Sequence, residues 1–264
     1  MRYADGKIGT EVDDGVGLIT FNNPDKRNAM SVEMWDGLAQ ALTGFEENEA
    51  VRVVVLTGAG HQAFVSGADI SQFETRRGDA NARREYDRLT GAGRERLARF
   101  PKPVIARIRG HCLGGGLAIA LQADMRIAAE DSRFGIPAAR LGIAYGFDAV
   151  RQLVQLVGPA HARMLLYTGA RVDGHEAARI GLVDEVVPDE ALSDRVVDLA
   201  RTIADNAPLS VGAAKLAVAA ALADAGARDM EGVERAVAAC FDSEDYREGR
   251  EAFLEKRAPR FQGR

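Results

Sequence analysis

The sequence is poor in the residues that build metal centres and disulfide frameworks. Two cysteines, Cys112 and Cys240, stand among 264 residues, and only four histidines are scattered through them. Two distant cysteines give neither a disulfide framework nor a metal-ligand spacing, so both read as small core hydrophobes. The histidines form no ligand cluster, and no metal is expected. Long apolar runs are missing too. None approaches the roughly 18 residues of a membrane span, and Met1-Arg2-Tyr3-Ala4-Asp5-Gly6-Lys7 lacks the apolar core of a secretion signal. A cytoplasmic protein with no membrane partner is therefore expected. Positive charge is not in excess: the formal net charge is −5, which argues against nucleic acid as the partner. No sequence repeat or low-complexity tract is visible. What remains is ordinary globular composition, 47% hydrophobic and 28% charged, in a chain long enough for one large domain with an appendage.

Glycine is not scarce, and its placement organises the chain. The run Arg109-Gly110-His111-Cys112-Leu113-Gly114-Gly115-Gly116-Leu117-Ala118 follows a strand-like segment, 103–108, and leads into a helix-like one, 117–121. Three consecutive glycines cost backbone entropy. Either strand and helix pack so closely that only glycine fits, or a ligand must approach the backbone. A helix start offers free N–H groups and partial positive charge. Such groups, aimed at a carbonyl oxygen that turns negative, form an oxyanion hole.

The rest of the chain reads as strands alternating with helices, hence an α/β fold with right-handed crossovers. Residues 11–12 and 16–21 are strands around a Gly turn. The loop 22–28 is turn-rich. Ser31 is a helix N-cap, and Trp35, Leu38, Leu42 and Phe45 follow at helical spacing as a core stripe. Residues 51–56 are nearly all β-branched, as in a parallel strand covered on both faces. Residues 71–79 are polar and 81–100 carry a charged helical pattern whose arginines read as a solvated face. Residues 124–129 are a strand, 134–147 a loop, 148–157 and 160–167 helices parted by Gly158-Pro159, and 183–187 a last strand. From 189 onward the chain is helical, interrupted at Pro208 and alanine-rich over 213–223.

A second stretch, Ala63-Phe64-Val65-Ser66-Gly67-Ala68-Asp69-Ile70, lies just past the strand 51–56. Together with the glycine triplet and its spacing, it resembles the crotonase (enoyl-CoA hydratase/isomerase) superfamily. So do Asn28-Ala29-Met30-Ser31, Thr168-Gly169, 177–183 and 248–257, so the resemblance covers nearly the whole chain. It implies a spiral of repeated ββα units, with residues 1–188 as the acyl-CoA core and 189–264 as a helical region that assembles trimers. It implies an acyl-CoA thioester as substrate, a homotrimer or hexamer, and no cofactor beyond the coenzyme A carried by the substrate. Ala68 and Gly115 match the two oxyanion donors. Lys26, Arg27, Asn28, Ala29, Ala68, Asp69, Ile70 and Gly115 match positions around the coenzyme. Lys26 and Arg27 would face its phosphates, although two basic loop residues are often mere surface. The region 71–102 corresponds to the part that covers the acyl end.

The acid/base residues depart from that pattern. By the resemblance, hydratases carry glutamates where this chain has Ala118 and Ala138, the latter after Pro137 in Phe134-Gly135-Ile136-Pro137-Ala138. Neither alanine carries a proton. Tyr145 falls where a decarboxylase of the superfamily has a tyrosine, and other members place a catalytic aspartate near Asp148. Each has a plain alternative: Tyr145 as pocket wall, and Asp148 as cap or dipole partner of the helix it begins. Arg140 either holds a substrate carboxylate or pairs with a surface acid. The reading is an enolate-stabilising acyl-CoA enzyme of hydratase/isomerase type. The alternatives are a decarboxylase or double-bond isomerase using Tyr145 or Asp148, and a non-catalytic acyl-CoA binder. A rival motif, Gly58-Ala59-Gly60-His61-Gln62-Ala63, formally fits a dinucleotide fingerprint. No helix opens after it and no strand with a terminal acid follows, so its context fails.

Overall fold

The structure, a computed structural model, describes residues 1–69 and 80–264. Eleven strands and nine α-helices fall in those residues. The first strands, β1 (Arg2–Tyr3), β2 (Ile8–Asp13) and β3 (Val16–Phe21), form antiparallel pairs. The two-residue turn between β2 and β3 is Asp14-Gly15, with φ of 44° and 82°, the left-handed pair that matches the twist of a hairpin. Parallel to β3 run β4 (Val53–Gly58), β6 (Val104–Ile108), β8 (Met125–Ala129) and β11 (Glu185–Val187), in the order β1-β2-β3-β4-β6-β8-β11.

A second, smaller sheet stands beside the first. It holds β5 (Ala63–Val65), β7 (His111–Leu113), β9 (Arg133–Gly135) and β10 (Arg171–Asp173), in the order β10-β9-β7-β5. Each of β4, β6 and β8 is followed at once by a short strand of this sheet and then by a helix. The helices are α2 (Ala80–Ala98), α3 (Gly115–Gln122) and, after a 3-10 turn, α4 (Phe147–Thr168). These are the ββα units of the expected spiral. The three-residue β7 lies inside the run 109–118, which in the sequence shows only as a glycine-rich link between a strand and a helix.

Alternation on β4 explains why its run is apolar throughout. Val54 and Leu56 enter one core, with Phe21, Phe64 and Phe134; Val53 and Val55 enter another. Each fully buried side chain of this size contributes about 1.5–3 kcal/mol. The first core is closed by α1 (Val32–Glu47), whose Ser31 Oγ accepts from Met34 N at 3.3 Å and whose Trp35, Leu38, Leu42 and Phe45 all face inward. The second is closed by α6 (Leu192–Asp205), through Leu192, Val196, Ala200 and Ala204 at four-residue spacing. Between α4 and α6 lies the short α5 (Gly174–Arg179).

Gly158, at φ 70°, kinks α4 where the sequence placed a break. Beyond α6 come α7 (Pro208–Leu222), α8 (Met230–Asp242) and α9 (Glu244–Glu255). They leave Leu216, Val218, Leu222, Phe241, Phe253 and Leu254 exposed. Cys112 is fully buried, but Cys240 is half-buried on α8 and belongs to neither core, so the expectation of two core cysteines holds for one. Among the described residues no helix is long and apolar enough to cross a membrane.

Candidate active site

The three glycines after β7 have three different reasons. Gly114 adopts φ 50° and ψ −115°, outside the range of ordinary side chains. A β-carbon on Gly116 would sit 1.9 Å from Val65 O, an impossible contact. Gly115 is different: the nearest atoms to its virtual β-carbon are Ala68 N at 3.5 Å and Gly67 C at 3.6 Å, which is ordinary van der Waals distance. Close packing and backbone geometry thus account for Gly114 and Gly116 but not for Gly115.

Gly115 is the first residue of α3, and its N–H has no intrahelical partner. The N–H of Ala68 also finds no acceptor among the described residues. The peptides on either side of it are held: Met30 N donates to Gly67 O and Asp69 N to Met30 O, both at 2.9 Å. The two turns, 47 residues apart in the chain, thus stand against each other at Gly115 and Ala68 N, and neither amide has an acceptor among the described residues.

The basic loop is stitched to the same turn. Ser66 N donates to Arg27 O at 3.1 Å, and Lys26 Nζ pairs with Asp69 Oδ2 at 2.7 Å. Asn28, buried at φ 57°, accepts from Asn23 N and donates to Ala59 O and Ala63 O. Its own N–H donates to Asn23 O, and that of Ala29 to Lys26 O. Asn28 is thus a clamp that fixes the loop against β5, a role the sequence did not reveal. Arg27 is exposed. Lys26, Arg27, Asn28, Ala29, Ala68, Asp69 and Gly115 gather on one side of the molecule, while Ile70 lies outside the described residues.

The segment after β9 borders the glycine turn. Gly114 N donates to Gly135 O at 2.9 Å, and a β-carbon on Gly114 would lie 4.0 Å from Pro137 Cδ. Ala138 follows in the 3-10 turn Pro137–Leu141, half-buried against the first core. Ala118 lies one turn along α3, and its N–H donates to Gly114 O at 3.0 Å. The Tyr145 hydroxyl donates to the same Gly114 O at 3.0 Å. Burial pushes the Tyr145 phenol well above its ordinary range, with a smaller push from Cys112 and an opposing pull from Arg94. Asp148 is exposed in the first turn of α4, with no hydrogen bond or ion pair among the described residues. Gly146 occupies the N-cap, so of the plain roles for Asp148 the dipole partner stands and the cap does not. Arg140 pairs with no acid among the described residues; its Nε donates to Thr168 O at 3.1 Å, at the carboxyl end of α4.

The sequence does not reveal the basic cluster around His111. The His111 imidazole on β7 is held below its ordinary range by burial first, then by the charges of Arg27, Arg171 and Arg133. Arg171 and Arg133 come from β10 and β9, so only the fold brings them to His111. Among the described residues no group of three or more His, Cys, Asp or Glu side chains is placed to hold a metal ion.

The geometry has counterparts among known proteins. The family model described as enoyl-CoA hydratase/isomerase matches residues 11–264. A crotonyl-CoA hydratase from Syntrophomonas wolfei is 36% identical over 251 residues, covering 95% of this chain and 96% of that protein. A short-chain-enoyl-CoA hydratase from Clostridium acetobutylicum is 35% identical over 247 residues, 94% of each chain. The crystal structure of an enoyl-CoA hydratase/carnithine racemase from Magnetospirillum magneticum superposes with a TM-score of 0.93 at 35% identity, covering 98% of this chain and 96% of that one. The fold, the placement of the two amides and these matches along its length lead to one conclusion: the chain belongs to the enoyl-CoA hydratase/isomerase family.

Proposed function

We propose that this protein binds an acyl-CoA thioester and stabilises its enolate between the N–H groups of Ala68 and Gly115. The observation that carries the reading is the pair of adjacent amides, neither with an acceptor among the described residues. A thioester oxygen gains negative charge as the enolate forms, and preorganised donors act on that charge without reorganising. The basic loop residues Lys26 and Arg27, and Arg133 and Arg171 around His111, suit the phosphates of the coenzyme. The coenzyme is part of the substrate, and the reading calls for no other cofactor. The exposed apolar faces of α7, α8 and α9 suit self-association as a trimer or a pair of trimers. A cytoplasmic setting accords with a coenzyme A substrate.

The reading departs from simple hydration. With alanine at 118 and 138, no carboxylate stands at either position to move protons to and from a water. Enolate formation by loss of carbon dioxide favours such a site. The bond between the α-carbon and the carboxylate breaks, its electron pair becomes the enolate, and water supplies the closing proton. Tyr145 then acts on the oxyanion peptide itself. Its hydroxyl donates to Gly114 O, the carbonyl of the peptide whose N–H is Gly115's, and so polarises that N–H.

Calorimetry tests the binding half. Acetyl-CoA binds and free acetate binds far more weakly, while light scattering of the same sample gives a trimer or a multiple of it. No heat at millimolar acetyl-CoA would remove the thioester site. Turnover of a panel of CoA thioesters, malonyl- and enoyl-types included, separates an enzyme from a binder.

Two substitutions test the chemical half on whichever thioester turns over. Tyr145→Phe lowers kcat about 2- to 10-fold, the worth of one neutral hydrogen bond, and leaves KM and the pH profile unchanged. A loss of about 10²-fold or more with an altered pH profile would make the phenol a proton carrier instead. Asp148→Asn leaves kcat within about twofold, as suits an exposed first-turn residue. A large loss with intact CoA binding would assign Asp148 the proton transfer.

A further inference from the structure

A second polar site lies on the other side of the larger sheet. The face of that sheet under α6 is apolar along Val16, Leu18, Val53, Val55 and Ile105. At the carboxyl ends of the strands it turns polar. Thr20 on β3, Thr57 on β4 and Arg107 on β6 are register partners, Thr20 with Thr57 and Thr57 with Arg107, so they form one cross-strand row. Side-chain alternation continues the row to Arg109. A cavity of about 290 Å³ opens there, lined by Thr20, Thr57, Arg107, Arg109 and His61, with the Gly58-Ala59-Gly60 turn as its rim.

The charges in this cavity do not balance. Arg109 is partnered: its Nε donates to Asp189 Oδ1, its Nη2 donates to Asp189 O at 2.8 Å, and its Nη1 lies 3.3 Å from His61 Nδ1. Arg107 has only the hydroxyl of Thr57, to which its Nε donates at 3.2 Å. No carboxylate pairs with it among the described residues. Burial, and then the charge of Arg109, weaken its hold on its proton. A half-buried guanidinium beside a second one is costly without a counter-charge. The carboxyl edge of a parallel sheet is also where open α/β sheets hold ligands.

We propose that this cavity is a binding site for a phosphate-type oxyanion. The Arg107 fork and the Thr20 hydroxyl offer donors to a tetrahedral anion, and the volume leaves room for a small group attached to it. The site is built on the face opposite the first core and is independent of the thioester reading. It also gives a use to the glycine turn at 58–60, whose dinucleotide reading failed on context.

The experiment is a phosphate titration of the full-length protein at constant ionic strength, with chloride as control. Thermal melting and calorimetry are read together. Inorganic phosphate binds saturably and raises Tm where chloride does not. A parallel arm with glycerol phosphate, which shares no nucleotide with coenzyme A, separates a free phosphate from a small phosphate ester; the tighter of the two identifies the source. Arg107→Met abolishes binding of both, leaves acetyl-CoA binding unchanged, and melts no lower than wild type without phosphate, because it removes an uncompensated charge. Thr20→Val, which disturbs no charge, weakens phosphate about 2- to 10-fold and serves if Arg107→Met does not fold. The proposal is overturned if wild type shows no saturable response up to 10–20 mM phosphate (roughly the weak end of useful anion affinity). It is overturned equally if Arg107→Met binds phosphate as before, or if acetyl-CoA displaces the phosphate.

Discussion

Gly115→Ala abolishes turnover while leaving the fold intact. The added methyl group meets Ala68 N at 3.5 Å and nothing closer, so the protein has room for it. Gly115 opens α3 with no positive φ, and alanine is the better helix former by about 1 kcal/mol. The methyl group does, however, stand in the space that both amides border, where the thioester oxygen would sit. Losing a single oxyanion donor typically costs about 10²–10³ in rate, and a blocked hole costs at least that. Melting at or above the wild-type temperature with turnover down at least about 10²-fold is the expected pair of results. Gly116→Ala is the contrast. Its β-carbon would lie 1.9 Å from Val65 O, so strand β5 and helix α3 would have to part. That variant loses stability and activity together. If Gly115→Ala turns over as wild type does, the space between Ala68 and Gly115 is not where charge develops, whatever Gly116→Ala does.

Much of this was legible in the sequence, and the failures have physical causes. The stripe of Trp35, Leu38, Leu42 and Phe45 and the N-cap Ser31 read correctly, because an amphipathic helix writes its buried face at helical spacing. The core strand β4 read correctly because burial on both faces demands apolar residues throughout. The strand β7 did not: it has three residues and is parted from β6 by Gly110 at φ 65°, too short for any period to show. The glycine triplet showed that something unusual happens at 114–116, yet only the fold divides it into a backbone need at Gly114, a packing need at Gly116 and a Gly115 that neither explains. The Asn28 clamp escaped because its partners, Ala59 O and Ala63 O, are backbone groups more than thirty residues away. Arg133 and Arg171 escaped for the same reason: they reach His111 only because β9 pairs with β10 and β7. Ala118 and Ala138 were visible as departures through resemblance alone. No property of an alanine reports that a carboxylate is missing.

Those two alanines lead to the second large effect. Hydrating a double bond conjugated to a thioester requires a proton taken from water and a proton given to the α-carbon. General acid–base groups supply about 10²–10⁴ in rate for such transfers. Around Gly114 and Gly115 the structure offers methyl groups at 118 and 138 and a phenol already committed to Gly114 O, whose proton burial holds more firmly than usual. Asp148, the one free acid of the segment 140–148, faces solvent. Crotonyl-CoA is therefore hydrated at least about 10²-fold more slowly than by a relative with both glutamates, at comparable thioester affinity. The deficit lies in kcat, because the amides proposed to bind the thioester oxygen are intact. Installing the missing groups should recover part of it. Ala118 and Ala138 are both half-buried rather than sealed, so the double variant Ala118→Glu, Ala138→Glu has access to water for its carboxylates. It raises crotonyl-CoA hydration about tenfold or more, within the range that acid–base groups supply. Steady-state rates on crotonyl-CoA for wild type and the double variant, with acetyl-CoA affinity measured on both, decide the matter. Rapid hydration by the wild type, unaffected by Tyr145→Phe and Asp148→Asn, would place the proton-handling groups elsewhere and end this account of the site.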